Sequence, residues 1–227
     1  MAKTSPRLEP QTVTRSGNPI TVAVVEDAEG IRENLAALLN RAPGYRCIGA
    51  YPDAESAVAA LRESHPEVIL MDINLPGASS IEATRAVKEF RPDTRIVMLT
   101  VYEDSKALFD SLKAGACGYL LKRTPPEKIL EAIREARAGG VPLNPQMAAK
   151  VAEYFRQLGG PSGEVGRLSE RERQVLELMA EGFLYKEIAD RLNIQTDTVH
   201  QFTKRIYEKL HVHSRAEAVF KHLATGR

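Results

Sequence analysis

Val68-Ile-Leu-Met-Asp72 places four apolar residues in a row and then a carboxylate. A run without polar alternation is a strand buried on both faces, which arises when helices cover both sides of a parallel sheet. Outward from it, Ile20–Val25, Arg46–Tyr51, Arg95–Thr100 and Gly118–Leu121 read as further strands. Between them lie segments with apolar residues at helical spacing: Ile31–Arg41, Ala54–Ser64, Ile81–Phe90, Ser105–Ala114 and Glu127–Ala138. Strict alternation of strand and helix allows parallel pairing through right-handed crossovers and predicts a doubly wound α/β domain with a five-stranded parallel sheet. Ser79-x-x-Glu82 and Thr124-Pro-Pro-Glu127 have capping-box spacing at two of the helix starts.

Beyond residue 138 the pattern changes. Gly139-Gly140-Val-Pro142 stops the fifth helix, and Pro145 opens another running to about Leu158. Gly159–Gly166 has four glycines in eight residues, the composition of a flexible linker. Strand character is then lost. Ser169-x-x-Glu172 caps a helix to about Ala180, Leu184–Arg191 and Thr196–Leu210 follow, and Ser214-x-x-Glu217 caps a last one. The expected organisation is a tail (1–19), an α/β domain (20–138), a linker containing a helix (139–166) and a small all-helical domain (167–227).

The 227 residues are enough for two small domains, and 43% hydrophobic with 27% charged residues is an ordinary globular balance. No stretch has the ~18 apolar residues of a membrane span, and the polar first 19 residues do not read as a secretory signal, so a cytoplasmic protein is expected. Two cysteines, Cys47 and Cys117, make neither a disulfide framework nor a zinc site. The net charge of +1 divides unevenly: residues 20–138 carry 15 basic and 18 acidic side chains, residues 167–227 carry 11 and 9. That asymmetry is too small to declare nucleic-acid binding.

In open α/β sheets ligands bind beyond the carboxyl ends of the strands. The first strand is followed by Glu26-Asp27, the third ends in Asp72, the fourth in Thr100, and Lys122 follows the fifth. Each residue alone is commonplace where a strand meets a loop. Together they put three acids, a hydroxyl and an ammonium on one rim. Neighbouring carboxylates repel one another and favour a hard cation such as Mg2+, which also binds phosphate oxygens. A carboxylate beside that ion can attack phosphorus while the metal and Lys122 offset charge on the transferring group. The constellation points to phosphoryl chemistry on Asp72.

These residues, with Met71-Asp-Ile-Asn-Leu-Pro-Gly77 and Tyr119, resemble the receiver domain of bacterial two-component response regulators, whose fold is flavodoxin-like. The resemblance implies that a histidine kinase donates a phosphoryl group to Asp72. It implies that Asp27, Asp72 and the backbone carbonyl of Asn74 hold Mg2+ directly, that Glu26 helps through water, and that Thr100 and Tyr119 move together as a switch. Ala78-Ser79-Ser80 departs from the Met-Ser/Asn-Gly often found there. Phosphatases of the haloacid dehalogenase type also use a strand-end aspartate. They place a second Asp two residues later, where this chain has Asn74, so slow self-dephosphorylation is the most catalysis expected.

In residues 184–210 a short helix, a turn near Asn193 and a longer helix fit a helix-turn-helix. Val199, Thr203, Ile206 and Leu210 share one face and are expected to pack inward, leaving Asp197, His200, Gln201, Lys204, Arg205 and Glu208 outward. An amphipathic helix with a solvated face reads the same way. Leu168-Ser-Glu-Arg-Glu-Arg-Gln-Val-Leu-Glu-Leu-Met179, Glu187-Ile-Ala189, Thr198-Val199 and the run from Lys209 to Val219 resemble the LuxR/NarL-type DNA-binding domain. That resemblance implies base reading by His200, Gln201 and Lys204, phosphate contacts from Thr198 and Lys209, and dimer packing by the last helix; Arg205 by its chemistry suits phosphate. The partners expected are a histidine kinase, double-stranded DNA and a second copy when phosphorylated, with no membrane. A scaffold whose helical domain binds protein is the rival. His211 and His213 read as capping or surface residues rather than metal ligands.

Overall fold

A computed structural model describes residues 18–101, 105–157 and 168–225. The elements run β1 (Ile20–Val25), α1 (Glu29–Arg41), β2 (Tyr45–Tyr51), α2 (Ala54–Leu61), β3 (Val68–Asp72), α3 (Ser80–Phe90), β4 (Arg95–Thr100), α4 (Ser105–Ala114), β5 (Gly118–Leu121) and α5 (Pro126–Arg137). The five strands form one parallel sheet in the order β2-β1-β3-β4-β5. All five strands expected from the sequence are present, with β2 starting one residue early. Tyr45 is buried and its hydroxyl donates to the Leu130 carbonyl, which draws it into the strand.

Both faces of the sheet are covered, as the unbroken apolar run of β3 requires. Ala23, Val25, Ile69, Met71, Ile96 and Met98 face α2, α3 and α4. Val22, Val24, Val68, Leu70, Val97 and Leu99 face α1 and α5. Successive residues alternate between the two cores, the period of two expected of a strand. Each large side chain so buried contributes roughly 1.5–3 kcal/mol, which fixes the register tightly.

Three of the four spacings do not close as reciprocal boxes. The Ser79 hydroxyl accepts from Ile81 N, two residues on, so no reciprocal box with Glu82 forms. Helix α5 is capped by Pro125 rather than Thr124, with Pro126 pre-set for the first turn and no side-chain cap. Ser169 and Glu172 do form the full reciprocal box at the start of the helix that follows Ser169. Glu217 N donates to the Ser214 hydroxyl, but the Glu217 carboxylate accepts from His213 N instead of Ser214 N.

After α5 the chain runs beside β5: Tyr119 N donates to Pro142 O, and Tyr119 bridges Leu143 in parallel. This covers an edge that would otherwise offer unpaired backbone groups. Helix α6 (Pro145–Gln157) follows, with Met147 and Val151 fully buried. The glycine-rich stretch 159–166 and the first 17 residues lie outside the described residues. Among the described residues four more helices follow: α7 (Glu170–Ala180), α8 (Tyr185–Leu192), α9 (Thr196–Leu210) and α10 (Arg215–Thr225). They share a separate core that includes Val175, Leu176, Ile188, Val199, Ile206 and Leu210. Among the described residues no helix is long and apolar enough to cross a membrane.

The helical unit is docked on the α/β unit. Tyr185 N donates to Ala138 O, and the Arg215 guanidinium donates to Gly139 O at 2.6 Å. Gly139 has φ +89°, and a Cβ there would stand 2.7 Å from the Tyr185 ring, so only glycine suits this contact. Ala216 and Phe220 of α10 pack into the same apolar cluster as Leu108, Leu112, Tyr119, Met147 and Val151.

Candidate phosphoryl-transfer site and nucleic-acid interface

Register brings the polar strand ends together. Val25 pairs with Met71, Asp72 with Leu99 and Thr100 with Leu121, so Glu26, Asp72, Thr100 and Lys122 occupy one rim. The rim lies where β1 and β3 adjoin and the direction of strand order reverses, the usual place for a ligand in this architecture. Glu26, Asp27 and Asp72 each place a carboxylate oxygen within 4.8 Å of the others. Glu26 and Asp72 are buried and Asp27 is exposed. Lys122 Nζ donates to Glu26 Oε1 at 2.7 Å and to Asp72 Oδ2 at 2.9 Å. Asp72 Oδ1 accepts from Asn74 N at 3.2 Å, and Asn74 itself is exposed.

Three carboxylates against one ammonium leave a local charge of about −2, the complement of a divalent cation. A specific atom fits the same conclusion: Glu26 Oε2 is buried without a hydrogen-bond partner. Burial, followed by the neighbouring Asp72 charge and offset in part by Lys122, raises the Glu26 carboxyl above its ordinary value. Burial alone would lower Lys122, but its bonds to Glu26 and Asp72 outweigh it and the ammonium is held charged. Thr100 is buried at the end of β4, and its carbonyl accepts from Lys122 N at 2.7 Å. Tyr119 is buried in the cluster that joins α4, α6 and α10.

Two supporting contacts are not foretold by spacing, although Ser80 itself stands out as a departure from the receiver pattern. Arg32 Nη1 donates to the carbonyls of Glu26 and Asp27 and so fixes the loop after β1. Ser80, in place of the glycine usual there, donates its hydroxyl to Ile73 O at 2.7 Å and ties down the loop after Asp72. Spacing cannot reveal either contact, because both depend on a turn of backbone.

In the helical unit, Val199, Thr203, Ile206 and Leu210 are buried as their spacing predicts. His200, Gln201, Lys204 and Arg205 are exposed on the opposite side of α9, and Thr198 is partly so. Asn193 adopts φ 51° and ends α8, forming the expected turn. The partly exposed Lys209 pairs its ammonium with Glu172 at 2.6 Å. The His200 ring meets Tyr185 edge-on, with centroids 4.7 Å apart. His211 caps α9 with φ 50°, and His213 N donates to Glu217. Both thiols are pushed up by burial, as expected of inert cysteines.

Residues 22–134 match the family of response regulator receiver domains, and residues 166–221 match the bacterial regulatory proteins of the luxR family. The chain is a two-component response regulator of the NarL/LuxR type. It is 30% identical to the transcriptional regulatory protein DegU of Brevibacillus brevis over 92% of this chain and 95% of that protein. It is 36% identical to LiaR of Bacillus subtilis, over 89% and 97%. A solved LuxR-family response regulator from Aurantimonas superposes with a TM-score of 0.57 at 32% identity, covering 60% of this regulator and 98% of that chain. The RcsB–DNA complex shares the fold, with a TM-score of 0.55 at 23% identity. This regulator is therefore a DNA-binding transcriptional regulator built from a receiver and a helix-turn-helix domain.

Proposed function

We propose that phosphoryl transfer from a histidine kinase to Asp72 controls how this regulator binds double-stranded DNA. The observation that carries the reading is the buried carboxylate cluster, bridged by Lys122, with one Glu26 oxygen left without a partner. Glu26, Asp27, Asp72 and the Asn74 carbonyl would hold Mg2+, whose chemistry when bound is to screen charge on phosphoryl oxygens. Asp72 supplies the carboxylate that forms the new P–O bond as the P–N bond of the phosphohistidine breaks. The electron pair goes to the departing imidazole. Lys122, already on Asp72 Oδ2, offsets the charge that develops. Thr100, on the same rim, donates its hydroxyl to a phosphoryl oxygen. Nothing in this set activates water strongly, so the regulator acts as acceptor rather than as a turnover enzyme.

The route from rim to DNA is a packed one. Thr100 and Tyr119 shift together, and Tyr119 shares a core with α4, α6 and the inner face of α10. In the docked arrangement α10 is held against the receiver, which keeps it from pairing with a second copy. Phosphorylation favours release, dimerisation through α10 and presentation of α9 to a repeated half-site in the cytoplasm. Gln201 suits adenine, Lys204 guanine, and Thr198, Arg205 and Lys209 the phosphates. His200 stands where the family often has Lys and contributes to the choice of site.

Intact mass after treatment with acetyl phosphate and magnesium tests the first step. One added phosphoryl group of ~80 Da on the wild type, absent from Asp72→Asn, is expected. No adduct, where a control receiver is modified in parallel, would overturn it.

A further inference from the structure

The junction between the two domains encloses a second polar site, away from the acidic rim. A cavity of about 450 Å³ is lined by Lys88 of α3, Arg95 at the start of β4, the Cys117 thiol, Tyr185, Tyr207 and Arg215. Its volume lies within the ~300–1,000 Å³ of small-molecule sites. Three cationic side chains from both domains converge there, and among the described residues none of the three forms an ion pair. Asp93, Glu208 and Lys204 also line it, so its walls carry four basic and two acidic groups, a net of +2. Arg95 and Arg215 flank the Tyr185 ring, their guanidinium carbons 5.3 and 5.8 Å from its centroid.

Like charges gathered across a domain junction oppose docking unless something offsets them. Lys88 registers this: burial first, then the Arg95 charge, lower its ammonium to about 8. It is held by the carbonyls of Pro92 and Thr94, and Arg215 by those of Gly139, Met179 and Phe183. Dipoles of that kind leave the charge in place. The hydroxyls of Tyr185 and Tyr207 are buried close to each other and to Arg95, with no hydrogen bond of good geometry to either. Two buried hydroxyls beside three cations that form no ion pair, with Asp93 and Glu135 the nearest acidic groups, make a set that an anion completes.

We propose that this cavity binds a small phosphate monoester, a dianion matching the charge of its walls, and that occupancy holds the two domains docked. Arg95 and Lys88 from the receiver and Arg215 and Tyr185 from the helical domain then bind one ligand, so undocking must release it. His200 and Lys204 line the same cavity, so the ligand opposes DNA through the recognition helix itself. This second consequence rests on the DNA-binding reading above, whereas the site does not.

The test is isothermal calorimetry on the full chain with inorganic phosphate, with AMP as an organic monoester, and with sodium chloride at matched ionic strength. Saturable binding of AMP is expected, with inorganic phosphate weaker, and Arg95→Gln and Lys88→Gln each lowering affinity about tenfold. Binding of inorganic phosphate alone would confine the site to the free ion and overturn the monoester assignment. Equal responses to chloride, or binding unchanged in both variants, would mean an adventitious ion only and overturn the proposal. DNA titrations with and without AMP at fixed ionic strength then read the coupling, with an AMP-dependent loss of affinity expected in wild type and not in Arg95→Gln. Calorimetric binding with no effect on DNA would keep the site and overturn the docking role. Absence of DNA binding under every condition would count against the functional reading and leave the calorimetry to decide the site.

Discussion

The acidic rim and the recognition helix are built in opposite ways. At the rim, Glu26 and Asp72 are buried, come from strands 46 residues apart, and meet only because β1 and β3 are neighbours. On α9, His200, Gln201, Lys204 and Arg205 are exposed, lie within six residues, and owe their shared face to helical period alone. Burial gives the rim little tolerance, since Glu26 Oε1 and Asp72 Oδ2 share one ammonium and Glu26 Oε2 has no partner. Exposure gives the helix latitude: its inner face holds the fold, and on the reading proposed above its outer face meets DNA. A chemical step wants the first arrangement and sequence-specific reading wants the second.

The contrast breaks if a rim substitution changes DNA reading directly, or a helix substitution changes phosphoryl uptake. The largest effect is expected from Asp72→Asn, which removes all uptake of phosphoryl group by mass. Next is Lys122→Met, which leaves two buried carboxylates facing each other without a counter-charge. Losing one partner of a buried ion pair costs about 3–5 kcal/mol, so chemical denaturation shows a clear fall in midpoint and uptake slows strongly, with both effects confined to the receiver. Gln201→Ala is expected to lose about 1–3 kcal/mol of discrimination at one base pair, measured by competition with substituted operators, while uptake at Asp72 is unchanged. Unequal salt slopes for Arg205→Ala and Gln201→Ala would sharpen the division, since only a phosphate contact lowers the slope.

The smallest effects lie at the α7 cap. Ser169→Ala is expected to cost about 1 kcal/mol by loss of a real capping box, whereas Ser79→Ala, with no reciprocal partner, costs less. Burial alone would raise Glu172, but the Lys209 ammonium and the Ser169 bonds outweigh it and hold its carboxyl below the ordinary value. Because the folded value is depressed, the stabilisation is complete above the unfolded carboxyl pKa and is lost as pH falls through the folded one. Lys209→Met removes part of that acid-side loss in a melting series at descending pH.

The sheet was legible because β3 and β4 are apolar at every interior position, and the rim because carboxylates, a threonine and a lysine close four of the strands. The α9 core was legible from Val199, Thr203, Ile206 and Leu210. What stayed hidden depends on contacts between distant segments. Arg32 reaches carbonyls of its own loop, Pro142 and Leu143 extend the sheet beside Tyr119, and Tyr185 seats on Gly139. The expected boxes at Ser79 and Thr124 failed for a local reason, since spacing specifies which residues can meet but not which backbone N–H the cap chooses.

Phosphorylation at Asp72 is expected to change affinity for DNA. Fluorescence anisotropy on one labelled operator at fixed salt, with the full chain before and after acetyl phosphate and magnesium, tests it most directly. An affinity rise of about 5–150-fold in the wild type, absent in Asp72→Asn, is the expected result. Equal affinities before and after verified phosphorylation, or the same rise in Asp72→Asn, would contradict it.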